Sequence, residues 1–225
     1  MLYHYEYDWA AAGKEFERAI ELNPSYSTGR QWYAAFLALQ GKTEQGWKEI
    51  NLAREIDPLS LVINTDIALN HYYARHYDAA IEQCKKTLQL EPDFALAHFW
   101  LARAYVMKKM YPEAIAEFQK SMDLEPGNVL ALALKGHAYG VSGQANEARR
   151  VIAELQQLSA KSYVSPVLFA LIYVGLGDNN QAMAFAEKGF RERAALLTRL
   201  KMEPILDPLR SDKRFQNLLS RVGPQ

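Results

Sequence analysis

The sequence predicts an all-α solenoid built from stacked helix–turn–helix units. Prolines recur every 34 residues, each after Asn, Asp or Glu: Pro24, Pro58, Pro92 and Pro126. Two series of small residues keep the same step, one at Ala12, Gly46, Ala80, Ala114, Ala148 and Ala182, the other at Ala34, Ala68, Ala102, Gly136 and Ala170. A fixed internal period indicates repeated units that stack on their neighbours, in place of one globular core.

Each unit is predicted to contain two amphipathic helices. In residues 95–126, apolar side chains recur three and four positions apart in two blocks, separated at 108–110. The proline ends the second helix and starts the next connection. Ala or Gly at a helix crossing lets two backbones approach closely, while large residues such as Tyr105, Tyr111 and Phe118 fill the space around the contact.

This pattern resembles the tetratricopeptide repeat (TPR) family, whose unit has 34 residues. The best-matching unit, 95–128, has the expected residues at Leu101, Ala102, Tyr105, Tyr111, Ala114, Phe118 and Pro126. The resemblance implies a right-handed superhelical solenoid with full units at 27–60, 61–94, 95–128, 129–162 and 163–196. Residues 1–26 form an incomplete unit, mainly a second helix, and the chain is expected to be a fragment because it opens within a repeat. Leu155 stands where a small residue is expected, so that junction is expected to pack differently.

Residues 197–225 do not repeat and are predicted to form a C-terminal capping region. A solenoid needs an element that covers its last apolar face. Ser211 or Asp212 can cap the N-terminus of a helix there. The apolar face of that helix would consist of Phe215, Leu218, Leu219 and Val222. The words at 162–178 and 207–223 also resemble the ends of TPR regions in bacterial multidomain regulators: CadC-type winged-helix regulators, serine/threonine kinases and cyclases.

The composition excludes several classes of protein. The chain has 225 residues, is 49% hydrophobic and 23% charged, and has no apolar run long enough to span a bilayer. Its formal net charge is zero, which argues against direct nucleic-acid binding. Cys84 is the one cysteine, which excludes an internal disulfide. The basic end that starts at Lys188 is interpreted as solvated surface, with a docking patch for an acidic partner as the alternative.

The stretch "QGKT" at 40–43 ends like a nucleotide-binding P-loop, but Phe36 stands where that loop needs its first glycine. Gly41, Gly143 and Gly177 occupy the same place in three units, and Arg75 and Lys109 occupy it in two others. We therefore interpret this position as the turn between the two helices, where a left-handed residue ends the first helix.

No catalytic constellation is evident, so the chain is predicted not to be an enzyme and to bind neither metal nor cofactor. His71 and His76 are five residues apart, whereas a metal-binding pair on one helix face is spaced by four. Cys84 falls where other units have large apolar residues, and it is predicted to be a buried small hydrophobe.

The TPR resemblance implies that the first helices of successive units line a concave groove where partners bind. The side chains expected to face it are Gln31, Trp32, Thr65, Asp66, Leu69, Tyr72, Tyr73, Phe99, Arg103, Met107 and His137. Tyr, Trp and Arg dominate binding energy at interfaces. The alternative is that several of these residues pack between units. Capture of a chaperone tail is not expected, because Asp66 stands where a carboxylate-binding residue would be needed. The apolar floor of the last two units (Leu130, Leu134, Val164, Val167, Leu168) suits an apolar helix face or the protein's own tail.

The sequence thus predicts a non-catalytic scaffold that binds a protein or peptide segment in its groove. The alternative is a regulatory, sensor or self-association module of a larger bacterial signalling or transcription-regulating protein. The incomplete first unit leaves an apolar face open, which favours a homodimer through that end. No membrane association is expected. The expected compartment is the cytoplasm, or the periplasm if an upstream membrane segment has been removed.

Overall fold

The computed structural model describes residues 8–222, and these are helical without any β-strand. The α-helices are α1 (Trp9–Leu22), α2 (Ser27–Leu39), α3 (Thr43–Ile56), α4 (Leu61–Tyr73), α5 (Tyr77–Leu90), α6 (Ala95–Met107), α7 (Tyr111–Leu124), α8 (Val129–Val141), α9 (Ala145–Ser159), α10 (Pro166–Gly175), α11 (Asn179–Arg191) and α12 (Lys213–Val222). Two 3₁₀ helices, Ala195–Arg199 and Pro204–Leu209, lie between α11 and α12. Consecutive helices pack on each other, and α2, α4, α6 and α8 also pack side by side.

The turn inside each unit has the conformation that its sequence position predicts. Gly41, Gly143 and Gly177 have φ values of 76°, 82° and 74°. Arg75 and Lys109 adopt the same left-handed conformation, with φ values of 64° and 60°. At each of these turns two backbone N–H groups bond back to the last turn of the preceding helix, which satisfies carbonyls that the helix end leaves free. The "QGKT" stretch is therefore a helix-ending turn.

The small-residue series lie where helices cross, as predicted. The alanines of both series are buried, from Ala12 to Ala182, and the two glycines are buried as well. At Gly136, an added Cβ would lie 2.9 Å from Val151 Cγ1 and 3.1 Å from Ile172 Cδ1. Since real Cβ contacts are essentially never shorter than 3.0 Å, a larger residue at this position would force the side chain of Val151 to shift.

The junction around Leu155 departs from the regular pattern. The side chain of Leu155 is fully buried, and α9 continues to Ser159 over 15 residues. The next helix, α10, begins only at Pro166 and has 10 residues, compared with 13 in α4, α6 and α8. A large buried residue in place of a small one therefore accompanies a longer second helix and a shorter following helix.

The chain after α11 turns back into the solenoid and then reaches α12. Asp212 precedes this helix, and its carboxylate accepts a hydrogen bond of 2.8 Å from the backbone N–H of Arg214, which satisfies a free donor of the first turn. Phe215, Leu218 and Val222 are buried, and α12 packs on α11. The helix thus covers the apolar face of the last repeated helix.

One apolar core runs from the first described helix to the last. Trp9 and Val222 belong to the same cluster of buried side chains, and the indole N–H of Trp9 donates a hydrogen bond of 3.2 Å to the backbone carbonyl of Val222. In the structure Trp9 is buried. The other residues that would expose an apolar N-terminal face, at 1–7, lie outside the described part of the chain. Among residues 8–222, none of the helices combines the length and apolar character needed to cross a membrane.

Candidate binding groove

The structure buries most of the residues predicted to line the groove. Trp32 is half exposed and Met107 is partly buried. The other nine are buried: Gln31, Thr65, Asp66, Leu69, Tyr72, Tyr73, Phe99, Arg103 and His137. Part of this burial comes from residues 195–210, which we call the groove segment. Leu196 and Leu200 line one cavity together with Leu130, Leu134 and Val167, so the protein's own tail lies at the apolar floor of the groove.

A buried ion pair joins the groove segment to the middle of the groove. The Arg103 guanidinium donates from one terminal nitrogen to Oε2 of Glu203, and the Tyr72 hydroxyl donates to Oε1 of Glu203 over 2.7 Å. Arg103 and Glu203 are 3% and 6% exposed. These contacts join residues that are 100 and 131 positions apart in the chain.

Aromatic rings hold the guanidinium of Arg103 in place. Its central carbon lies 4.3 Å from the ring centroid of Trp100, 4.6 Å from that of Tyr72 and 5.6 Å from that of Phe99. Ring faces attract a cation, and the attraction is stronger where water is excluded. Trp100 thus forms an aromatic box together with three of the predicted groove residues, Tyr72, Phe99 and Arg103. The polar groups in this box are the guanidinium of Arg103 and the hydroxyl of Tyr72.

The electrostatics of this box keep Arg103 charged and Tyr72 neutral. Burial alone lowers the pKa of Arg103, but the Glu203 carboxylate raises it above its ordinary value. Burial and the neighbouring Glu203 raise the pKa of Tyr72 well above its ordinary value. Within the described residues, Nε of Arg103 is buried without a hydrogen-bond partner. The guanidinium therefore has one donor to spare.

A second ion pair fixes the groove segment at the rim of the groove. The Arg75 guanidinium donates two hydrogen bonds to the Asp207 carboxylate, over 2.5 and 2.9 Å. Arg210 donates to the same carboxylate over 2.6 Å. The hydrogen bond from Arg75 holds the pKa of Asp207 below its usual range. Because this pair is partly exposed, solvent screens it, and it contributes less than a buried pair.

The remaining groove residues have partners inside the repeats. The Thr65 hydroxyl donates to the Leu61 carbonyl over 2.8 Å. His137 Nδ1 lies 2.9 Å from the Leu171 carbonyl, and burial lowers the pKa of this histidine. Tyr73 packs edge-on against Trp100. The Thr65 contact lies within α4, whereas His137 and Tyr73 contact the next unit along the chain.

Asp66 lies buried beside Gln31, whose side-chain amide donates to it over 2.7 Å. Burial raises the pKa of Asp66 to about 6, while the hydrogen bond from Gln31 and the charge of Arg199 oppose the shift. The pKa of a free aspartate is 3.8. The folded state therefore binds this proton more tightly than the unfolded state does.

We expect this raised pKa to make the protein more stable in mild acid. As the pH falls from about 6 to about 4, Asp66 should add about 2–3 kcal/mol to the free energy of unfolding. Above pH 6 this contribution is absent, because both states are ionised. Urea unfolding across this range checks it. Asp66→Asn should remove the added stability, whereas the exposed Asp93→Asn should retain it. Superimposable profiles of wild type and Asp66→Asn would contradict the prediction.

Trp32, one of the predicted groove residues, remains exposed toward the N-terminal end of the helix stack. Trp32 on α2 is 51% exposed, and Val62 on the neighbouring helix α4 is 40% exposed. Trp32 stands 34 and 68 residues before Asp66 and Trp100, which are buried at the equivalent positions of the next two units. A large aromatic surface is therefore accessible at this end of the groove.

Sequence reasoning did not identify Glu203 and Asp207 as groove residues. Both lie outside the repeated units, so the 34-residue period gives no information about them. The sequence contained one indication of a carboxylate in the groove. Arg103 lies among aromatic residues, and a guanidinium buried there needs a carboxylate partner. The tail offers Glu203, Asp207 and Asp212 from residue 197 onward.

His71, His76 and Cys84 are the side chains that were considered for metal binding or reactivity. The His71 and His76 rings are 6.1 Å apart, with His76 at the turn before α5. Cys84 is fully buried, as predicted, and burial raises the pKa of its thiol to about 12. Across residues 8–222, no cluster of three or more His, Cys, Asp or Glu side chains could hold a metal ion.

Comparisons with known proteins agree with this architecture. Residues 65–129 match the tetratricopeptide repeat family, while no curated protein matches the chain. Among solved structures, PilW, a widely conserved type IV pilus biogenesis factor, aligns with a TM-score of 0.63 at 16% identity, over 97% of this chain and 94% of its own. A tetratricopeptide repeat protein from Parabacteroides merdae aligns with a TM-score of 0.60 at 18% identity, over 98% and 88%. Pseudomonas aeruginosa pilF aligns with a TM-score of 0.57 at 14% identity, over 97% and 92%.

At these identities the structural likeness establishes the fold alone. The all-α architecture predicted from the 34-residue period is confirmed by these solenoids, which the chain matches over nearly its whole length. The resemblance to CadC-type regulators, kinases and cyclases has no counterpart among these matches. The chain has the fold of a TPR solenoid, and its residues 65–129 carry the sequence of the tetratricopeptide repeat family.

Proposed function

We propose that this chain is a non-catalytic interaction scaffold that binds a segment of a partner protein at the N-terminal end of its concave groove. TPR proteins are in general protein-interaction scaffolds. Stacked repeats create extended concave surfaces that suit this role. The partner would lie against the part of α2 and α4 where Trp32 and Val62 remain exposed.

The exposure of Trp32 is the observation that carries the proposal. Tryptophan is among the residue types that contribute most to binding energy when a partner buries them. Trp32, which the sequence predicts to face the groove, is half exposed on α2, and Val62 is exposed on α4, which packs on α2. A partner with an apolar side chain would cover both. Since α2 and α4 are held by packed neighbours, the scaffold loses little conformational entropy on binding.

We expect Trp32→Ala to weaken such binding by about 2 kcal/mol, roughly thirtyfold in the dissociation constant. Peptides selected from a display library on the wild-type chain supply the ligand, and titration calorimetry measures the affinity. Tyr163→Ala is the matched control, because Tyr163 is a 67% exposed aromatic residue outside the predicted groove set. Selected peptides that bind wild type and Trp32→Ala equally well would contradict the proposal.

The second candidate is a regulatory or self-association module of a larger protein. It is favoured by the groove segment, because a groove filled by its own chain is a contact that regulation can change. A homodimer through the incomplete first unit belongs to this candidate. Light scattering across a dilution series separates the two: a concentration-dependent dimer favours self-association, and a monomer at every concentration favours the scaffold.

A further inference from the structure

We infer that Arg103 and Tyr72 form a carboxylate-binding site in the groove, and that Glu203 is its tethered ligand. A partner segment of the same chemistry, a glutamate followed by a proline and aliphatic residues, replaces the groove segment there. The inference rests on the proposed scaffold function and specifies a ligand class for the covered part of the groove.

The site is built to receive a negative charge. Arg103 brings a full positive charge into a region enclosed by aromatic rings, and Tyr72 adds a hydroxyl donor. Both donors point at one carboxylate, each at a different oxygen. A buried guanidinium without an anion is unfavourable, so this site demands a carboxylate whenever it is closed to water.

The groove segment lies in the site as a peptide ligand would. It has two short 3₁₀ helices and does not continue the repeat. After Glu203, the residues Pro204, Ile205 and Leu206 are buried. Pro204 and Ile205 line a cavity together with Met107 and His137 of the predicted groove set. Asp207 then pairs with Arg75 at the rim. The order of acidic, proline and aliphatic residues is thus matched to successive features of the groove.

Two features favour exchange over a permanent core. Arg103 uses one terminal nitrogen for Glu203 and leaves Nε unpaired, so an incoming carboxylate can engage the guanidinium at two points. A buried ion pair also adds little net stability over an apolar pair of the same shape, which makes it a poor device for packing alone. The pair instead selects what occupies the groove.

The tether keeps this site filled in the isolated protein. The groove segment follows α11 after residues 192–194, of which Glu192 and Arg193 are exposed and Arg193 has a left-handed φ of 52°. A ligand on a short tether is present at an effective concentration in the millimolar range. A free peptide should therefore compete only when the contacts of the tethered segment are weakened.

The test uses the full chain and a fluorescent peptide of residues 199–210, RLKMEPILDPLR. The control peptide has Gln in place of its glutamate. Two variants weaken the tethered segment: Glu203→Gln removes the buried charge, and Asp207→Ala removes the rim contact. Ser211→Ala changes an exposed residue just beyond the segment and serves as the matched control. Fluorescence anisotropy measures the dissociation constants, and circular dichroism checks that each variant is folded.

We expect Glu203→Gln to bind the peptide at least about tenfold more tightly than wild type, and Asp207→Ala to bind it severalfold more tightly. Ser211→Ala should match wild type, and the Gln peptide should bind every protein weakly. If Glu203→Gln does not fold, Asp207→Ala decides the outcome. Equal affinity of wild type and the folded variants, or equal affinity for the two peptides, would overturn the inference.

These outcomes are independent of the test of the scaffold function. Loss of discrimination between the two peptides overturns the carboxylate site, even when display-selected peptides still require Trp32. Conversely, selected peptides that ignore Trp32 contradict the scaffold proposal at the N-terminal end. Glu-dependent binding by the Glu203→Gln variant would then still support the site at Arg103.

Discussion

Glu203→Ala is expected to lower the free energy of unfolding by about 3–5 kcal/mol. The substitution leaves the Arg103 guanidinium buried among aromatic rings without its anion, and it removes the acceptor of the Tyr72 hydroxyl. The cost comes from the uncompensated buried charge, which greatly exceeds the net contribution of the intact pair. Urea unfolding followed by circular dichroism measures it.

Two further variants isolate the origin of this effect. Glu154 lies on an exposed face of α9, so Glu154→Ala should change stability by less than about 0.5 kcal/mol. The double replacement of Arg103 by Met and Glu203 by Leu removes both charges, and it should restore most of the stability lost in Glu203→Ala. A loss below 1 kcal/mol for Glu203→Ala would show that water or another group replaces the carboxylate.

The second large effect is expected for Phe215→Ala, which should also cost about 3–5 kcal/mol. Phe215 is fully buried where α12 covers α11, so its removal leaves a cavity in the continuous core. Thermal and urea unfolding measure the change. Asn217→Ala, on the exposed side of the same helix, is the matched control. Equal stability of the two variants would mean that α12 does not support the solenoid.

The repeat made much of the fold predictable. A residue and its equivalent 34 positions later have the same environment, so turn residues, crossing residues and helix pairs follow from the period. The left-handed Arg75 and Lys109 show how strong this constraint is, because their side chains disfavour that conformation and position alone identified them. The shortened α10 is a departure that Leu155 indicated only in part.

The apolar floor of the last two units indicated the protein's own tail as one of two possible occupants, but the repeat could not predict that the tail reaches Arg103 in the middle of the groove. Trp32 and Trp100 are the same residue type at equivalent positions, yet their exposed fractions are 51% and 3%. Trp100 packs against Arg103, which is paired with Glu203 of the groove segment. The 34-residue repeat does not encode this contact between Arg103 and the tail. The contacts of Glu203 and Asp207 with Tyr72, Arg75 and Arg103 follow from the path of residues 195–210, which has no periodic signal.

The hydrogen bond between Trp9 and Val222 has a consequence for how the protein unfolds. In an open solenoid each unit contacts only its neighbours, so terminal units fray first and stability is a sum over units. Here the last helix meets the first described one, and the tail bonds to Tyr72, Arg75 and Arg103 on the way. Fraying at either end would break contacts at the other. The repeats should therefore unfold in one cooperative transition. Refolding should be slow, because contacts between such distant residues require the closure of large loops.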